Sequence, residues 1–276
     1  MSTTGTIYDF VKMHGLGNDF VVFDFRDAGL RLDENQVRAI ANRRAGIGCD
    51  QLITLLPSSD ADAFMRIQNA DGGEVDACGN ASRCVASLLM DETGVEEVSL
   101  QTNAGLLVCT RAAGSDIIAV DMGVPTLGWE EIPLARAMDT VTGDFEHGPL
   151  RAPGFANVGN PHAVFFVDDA SAISLDTLGP AIETDVLFPE RINVEVAQIM
   201  SPDLIRLRVW ERGVGITRAC GTGACATLIV AHRRGLVGRE ATVRLDGGDL
   251  YLCWDDNDHI IMSGGATTSF QGQITL

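Results

Sequence analysis

Two cysteines carry the most chemistry in this chain. Cys78 opens the run Cys78-Gly79-Asn80-Ala81-Ser82, and Cys220 opens Cys220-Gly221-Thr222-Gly223-Ala224, 142 positions later. In each run small residues follow the thiol, and an apolar stretch comes next, so each cysteine is placed just ahead of a helix. A thiol at a helix N-terminus feels the positive end of the dipole, which favours its thiolate and makes it a usable base. The backbone N–H groups of Gly79, Asn80, Gly221 and Thr222 would form two donor clusters suited to a carboxylate. Two such thiols facing one carbon can take a proton from one side and deliver one to the other, which inverts the centre.

Other chemistries fit less well. Lys12 is the single lysine of the chain, so Schiff-base chemistry with pyridoxal phosphate has one candidate. Zinc would need cysteine pairs on one face. Cys78 with Cys84 and Cys220 with Cys225 do not share a helical face, and neither pair is a C-x-x-C; no metal site is expected. Gly221-Thr222-Gly223-Ala224-Cys225-Ala226 satisfies G-x-G-x-x-A, but no convincing strand precedes it and too little chain follows for a dinucleotide half. Cys49, Cys84, Cys109, Cys225 and Cys253 read as core residues.

The elements that must position these thiols come in two sets. Gly17-Asn18 with Phe20-Val21-Val22-Phe23 is answered by Gly159-Asn160 with Val164-Phe165-Phe166-Val167, and Met65-Arg66-Ile67 by Leu207-Arg208-Val209, all at the same 142-residue shift. One shift shared by matches spread over most of each half predicts two related halves. Short β-rich runs are expected at 20–25, 51–56, 63–68, 98–102, 106–110 and 117–122. Helices are expected at Glu34–Arg44 with Asp33 as N-cap, at Asn80–Met90 stopping near Gly94, and at Thr222–Arg234 stopping at Gly235. Strands outnumber helices and recur too closely for regular strand–helix alternation, so the fold class is α+β.

Composition sets the limits. The chain has 276 residues, 46% hydrophobic and 21% charged, enough for a substantial core. Its formal net charge of -18 is the wrong sign for neutralising phosphates, so neither nucleic acid nor an anionic membrane is an expected partner. Residues 1–10 lack a secretory pattern and no run approaches a membrane span, which reads as a cytoplasmic protein. An odd count of seven cysteines fits reduced thiols.

At these residues the sequence resembles the diaminopimelate epimerases, cofactor-independent enzymes of lysine and peptidoglycan precursor synthesis. The resemblance runs nearly end to end. It covers 12–20, Asp50-Gln51, Asn69 to Gly72, Glu74-Val75, Cys78 to Asn80, Arg83-Cys84, Gly159 to His162, Pro189 to Val194, Glu211 to Gly213 and Ala219 to Cys225. It implies acid/base cysteines at Cys78 and Cys220, with His162 and Glu211 tuning the thiols and meeting the reacting amine. Substrate contacts fall on Asn18, Gln51, Asn69, Gly79, Asn80, Asn160, Asn193, Glu211, Arg212, Gly221 and Thr222. Arg212 is suited to clamping a carboxylate in a bidentate way.

The resemblance further implies two pseudo-symmetric domains, 1–122 plus 266–276 and 123–265. Each is a mostly antiparallel sheet wrapped around a central helix, with the active site in the cleft between them. No cofactor is implied, and a homodimer is. Ala81, Ile216 and Thr222 stand where the family more often has glycine, glutamate and serine, and Phe270 replaces the tyrosine of its dimer contact.

Overall fold

The computed structural model describes residues 5–28 and 30–276. The chain divides into two compact units. One runs to Val120 and takes in Gly264–Leu276; the other is Asp121–Ser263.

The first unit is built from β1 (Ile7–Gly15), β2 (Asn18–Asp24), α1 (Glu34–Ala41), β3 (Gln51–Leu56), β4 (Ala63–Asn69), β5 (Glu74–Val75), α2 (Gly79–Thr93), β6 (Glu97–Thr102), β7 (Gly105–Arg111) and β8 (Ile117–Asp121). The second carries β9 (Glu146–His147), β10 (Leu150–Arg151), β11 (Gly154–Asn157), β12 (Pro161–Phe166), α3 (Leu175–Glu183), β13 (Asn193–Ser201), β14 (Leu204–Glu211), β15 (Gly215–Thr217), α4 (Gly221–Arg233), β16 (Glu240–Leu245), β17 (Gly248–Trp254) and β18 (Ile260–Gly265). The last strand, β19 (Thr267–Thr275), returns to pair antiparallel with β1.

The repeat seen in the sequence is written into the strand pairing. In the first unit β2–β3 and β4–β6 are parallel, and β1–β2, β3–β4, β4–β5, β6–β7 and β7–β8 are antiparallel. In the second, β12–β13 and β14–β16 are parallel, and β11–β12, β13–β14, β14–β15, β16–β17 and β17–β18 antiparallel. Register follows as well. Phe20 faces Gln51 as His162 faces Asn193, and Ile67 faces Val75 as Val209 faces Thr217, each pair shifted by 142. Register fixes which face every side chain occupies, so equivalent positions lie on equivalent faces of the two sheets.

Each sheet packs on its central helix. In α2 the buried residues are Gly79 to Ala86, Leu89 and Met90, and the helix touches β1, β2, β6 and β7. In α4 burial runs from Gly223 to Ala231 without interruption, against β11, β12, β13, β16 and β17. A helix that is apolar all round is a core helix. Leu228, Ile229 and Val230 are each fully buried, contributing roughly 1.5–3 kcal/mol apiece.

Both expected helices around the cysteines are present, at Gly79–Thr93 with Gly94 at φ 73 as the stop, and at Gly221–Arg233. The third is shorter than expected. Asp33 does cap α1, in a reciprocal box with Gln36, but the helix ends at Ala41 and not at Arg44. Asn42 turns out at ψ 116, and its side-chain oxygen accepts from the backbone N–H of Arg44 at 2.9 Å and of Ala45 at 3.0 Å. That local turn outcompetes another helical turn. The helix α3 was not expected, because Gly179 and Pro180 interrupt its apolar period. Gly179 is there for space: a Cβ would lie 2.4 Å from the Trp210 ring.

Candidate functional site

In the first unit the N-cap and strand ends expected to carry the site gather around Asn18. Cys78 is the N-cap of α2, at φ -150 and ψ 104, and the first backbone donor within that turn is Ser82 N–H, to Cys78 O at 2.9 Å. The first amides of a helix have no carbonyl of an earlier turn to bond, and those of Gly79 and Asn80 hold these positions. The Cys78 thiol lies 3.9 Å from Asn18 Oδ1, which also accepts from Asn80 Nδ2 at 3.2 Å. Both amides have one allowed orientation. Buried Arg83, a group that can only donate, gives Nη2–H to Asn80 Oδ1 at 2.8 Å, and the Asp50 carboxylate accepts from Asn18 Nδ2 at 3.1 Å. Gln51 Nε2 donates to Asn69 Oδ1 at 3.0 Å, joining the facing ends of β3 and β4.

Lys12 does not reach toward chemistry. Its ammonium is buried, 2.5 Å from Asp19 Oδ2 and hydrogen-bonded to Gly48 O. Arg43 joins Asp19 and Asp50 at 2.6 and 2.7 Å. Burial pushes the Asp19 carboxyl up, but the hydrogen bonds from Arg43 and Lys12 outweigh it and hold Asp19 below the usual carboxylate range.

The second unit repeats this arrangement position for position. Asn160, Asn193, Glu211, Cys220, Gly221 and Thr222 stand where Asn18, Gln51, Asn69, Cys78, Gly79 and Asn80 stand in the first, at the same strand ends and helix start. Cys220 caps α4 and accepts from Gly223 N–H at 3.4 Å, with Thr222 Oγ1 at 3.6 Å. Thr217 donates its hydroxyl to Glu211 Oε1. Asn193 donates to Pro161 O at 2.8 Å and accepts from Arg212 N–H at 2.9 Å, while the Arg212 guanidinium donates to Glu190 O at 3.0 Å. Glu183 at the end of α3 accepts from Trp210 Nε1 at 2.7 Å and Gly213 N–H at 2.9 Å, so the turn that carries Glu211 and Arg212 is fixed from below.

Two expectations need correction. Cys220 was expected to be pulled toward its thiolate by the helix end. Burial pushes this thiol well above the ordinary cysteine range, and the nearby Glu211 and Glu195 carboxylates push the same way, against the donors at Thr222 and Gly223. Of the five cysteines read as core, Cys49, Cys84, Cys109 and Cys225 are buried, but Cys253 is only partly so and donates to the Glu240 carboxylate. Burial pushes Cys49 up to about 11 and Cys84 and Cys109 up to about 12, leaving them unreactive.

Sequence reasoning passed over Glu195. It is wholly buried on β13, and its Oε1 lies 2.7 Å from His162 Nδ1, while His162 Nε2 lies 2.7 Å from Asn160 Oδ1. The available signal was the repeat itself: the positions 142 residues earlier are Phe20 and Ile53, both core residues.

Two sheets of one topology, each with a cysteine N-cap at a polar set of strand ends, make up a two-half α+β fold. Solved structures share this fold. The chain superposes on a Bacillus anthracis phenazine biosynthesis protein of the PhzF family at TM-score 0.70 with 15% identity, covering 98% of this chain and 100% of that one. It matches a probable proline racemase from Agrobacterium radiobacter at TM-score 0.70 with 20% identity, over 98% and 93%. The diaminopimelate epimerase family profile matches residues 10–128 and 154–269. Relatives named diaminopimelate epimerase are 58% identical in Erythrobacter litoralis, over 95% of this chain and 96% of the relative, and 55% identical in Rhodospirillum centenum, over 96% and 92%. The chain belongs to the diaminopimelate epimerase family.

Proposed function

We propose that this chain interconverts LL- and meso-2,6-diaminopimelate by proton transfer at one α-carbon, with residues 1–122 plus 266–276 and 123–265 as its two catalytic halves. In the LL to meso direction Cys220 takes the α-proton, the C–H electron pair stays on carbon, and the Cys78 S–H bond breaks to protonate the opposite face. The roles exchange in reverse. The observation that carries this reading is the pair of cysteine N-caps at equivalent positions of two equivalent units.

The surroundings of each thiol support the assignment. Asn18 Oδ1 beside Cys78 is an acceptor with its orientation set from both ends, and it favours a thiol that keeps its proton. Around Cys220 the partners are the Gly223 N–H, a donor, and the Thr222 hydroxyl, which can turn to donate, and these suit a sulfur that gains charge. Burial and the two carboxylates still oppose ionisation there. The α-ammonium of the zwitterion, placed against Glu211, supplies the positive charge that offsets them. The helix-start amides at Gly79, Asn80, Gly221 and Thr222 receive the α-carboxylate and stabilise charge building on it. Asn69, Asn193 and the Arg212 guanidinium hold the distal amino-acid end, with Asn18, Gln51 and Asn160 lining the approach. The scheme uses no cofactor.

By resemblance the protein is a cytoplasmic homodimer. Among the described residues no helix is long and apolar enough to cross a membrane.

The test is incubation of reduced protein with LL-diaminopimelate in deuterated water. Deuterium is expected at the α-carbon together with meso product, and Cys78→Ala and Cys220→Ala are each expected to lose at least about 100-fold in rate. Full activity in either variant sinks the two-base scheme.

A further inference from the structure

The second unit departs from the first at one buried spot. Where the first sheet sets Phe20 and Ile53 into its core, the second sets His162 and Glu195, both with no exposed side-chain surface. A wholly buried carboxyl is costly, and here it is only half satisfied. Oε1 meets His162 Nδ1 at 2.7 Å, while Oε2 has no hydrogen-bond partner among the described residues. An apolar pair at these positions is compatible with this fold, as the first unit demonstrates, so stability does not call for the ionisable one.

The geometry assigns the pair a task. Asn160 Oδ1 can only accept, so His162 Nε2 carries a proton, and a second proton lies between Nδ1 and Glu195 Oε1. The ring is thereby locked, and with it the Asn160 amide. The same carboxylate also abuts the helix turn behind Cys220. A Cβ on residue 223 would lie 2.9 Å from Glu195 Oε1 and 3.3 Å from Cys220 Sγ, so glycine is needed to let the two groups share that turn.

We propose that Glu195 is a positioning residue of the epimerase site, holding the His162 ring with Nε2–H toward Asn160 and, through it, fixing the amide of Asn160. The inference rests on the reading of His162 and Asn160 as parts of that site. Burial pushes the Glu195 carboxyl up, and Glu211 on β14 pushes the same way, against His162 on β12. A group bound more tightly to its proton in the folded state makes the fold lose stability as pH rises. The carboxyl's contribution to stability therefore falls toward alkaline pH, where Cys220 on α4 and Glu211 are the remaining titratable groups facing this spot.

Glu195→Gln separates the alternatives. The expected result is a melting temperature at pH 8 no lower than that of the parent, with kcat reduced about tenfold or more and KM within about twofold, as for carboxylates that orient a working histidine. An unchanged kcat, a loss confined to KM, or a melting temperature and kcat that fall together each overturns the proposal. A measurement on the unaltered protein stands beside it: with 15N-histidine, the His162 Nδ1 proton, assigned by its loss in His162→Gln, is expected far downfield as a short hydrogen bond to carboxyl. Its absence also overturns the proposal. Full activity in His162→Gln would instead count against the site reading on which the inference rests.

Discussion

Cys220 combines a helix N-cap, which favours a thiolate, with complete burial beside two carboxylates, which does not. Burial has the larger effect, and the thiol is held above the ordinary cysteine range. Below that raised value the sulfur carries its proton and is a poor nucleophile; above it the thiolate forms. Alkylation of Cys220 by iodoacetamide, followed by peptide mass spectrometry, is therefore expected to rise only in the alkaline range. Because the Glu211 charge is one cause of the upward push, Glu211→Gln is expected to move that rise to lower pH. A rise near neutral pH in the parent protein would show that the helix end outweighs burial. The cysteines themselves were legible from residue type and spacing. The ionisation of Cys220 was not, because it depends on how deeply the fold buries the sulfur and on charges brought in from β13 and β14.

At the scale of elements, the helix starts at Cys78 and Cys220, and their stops, could be read locally: small residues at the N-terminus, glycine at the end, an apolar interior. Where a side chain competes with the backbone, as Asn42 does, or where packing dictates glycine, as Trp210 does at Gly179, the local signal misled. Gly223 is the sharpest case, since it fits the G-x-G fingerprint yet is required by a carboxylate and a thiol on either side of it. Gly223→Ala forces Glu195 or Cys220 to move by several tenths of an ångström. The helix interior itself gains from alanine. The expected outcome is a protein that still folds, with unfolding free energy changed by no more than about 1–3 kcal/mol, and epimerisation lowered far more than that change accounts for, read by urea unfolding alongside α-deuterium exchange.

For the whole molecule, the 142-residue repeat was visible in three short matches, and the pairing order and register of both sheets follow from it. What the repeat could not reveal is where the halves diverge in use, as at His162 and Glu195, or what lies along β19 in the first unit. There β19 stays exposed from Thr267 to Gln271, and Phe270, half-exposed, packs edge-on to Phe10 at 5.9 Å. Beside it opens a groove of about 520 Å³ whose lining includes Phe10, Val22, Leu55 and Leu88. If the dimer implied by the family resemblance uses this face, it must bring together two chains of net charge -18. Like charges of that size oppose association, and salt screens them within about 10 Å at 0.1 M. The dimer fraction, measured by light scattering after gel filtration, is therefore expected to increase from low to moderate salt. Phe270→Asp, which adds a charge where the ring would be covered, is expected to give monomers at every salt concentration. A dimer that survives Phe270→Asp, or that weakens as salt is added, would place the interface on another surface, held by ion pairs and not by this apolar strand face.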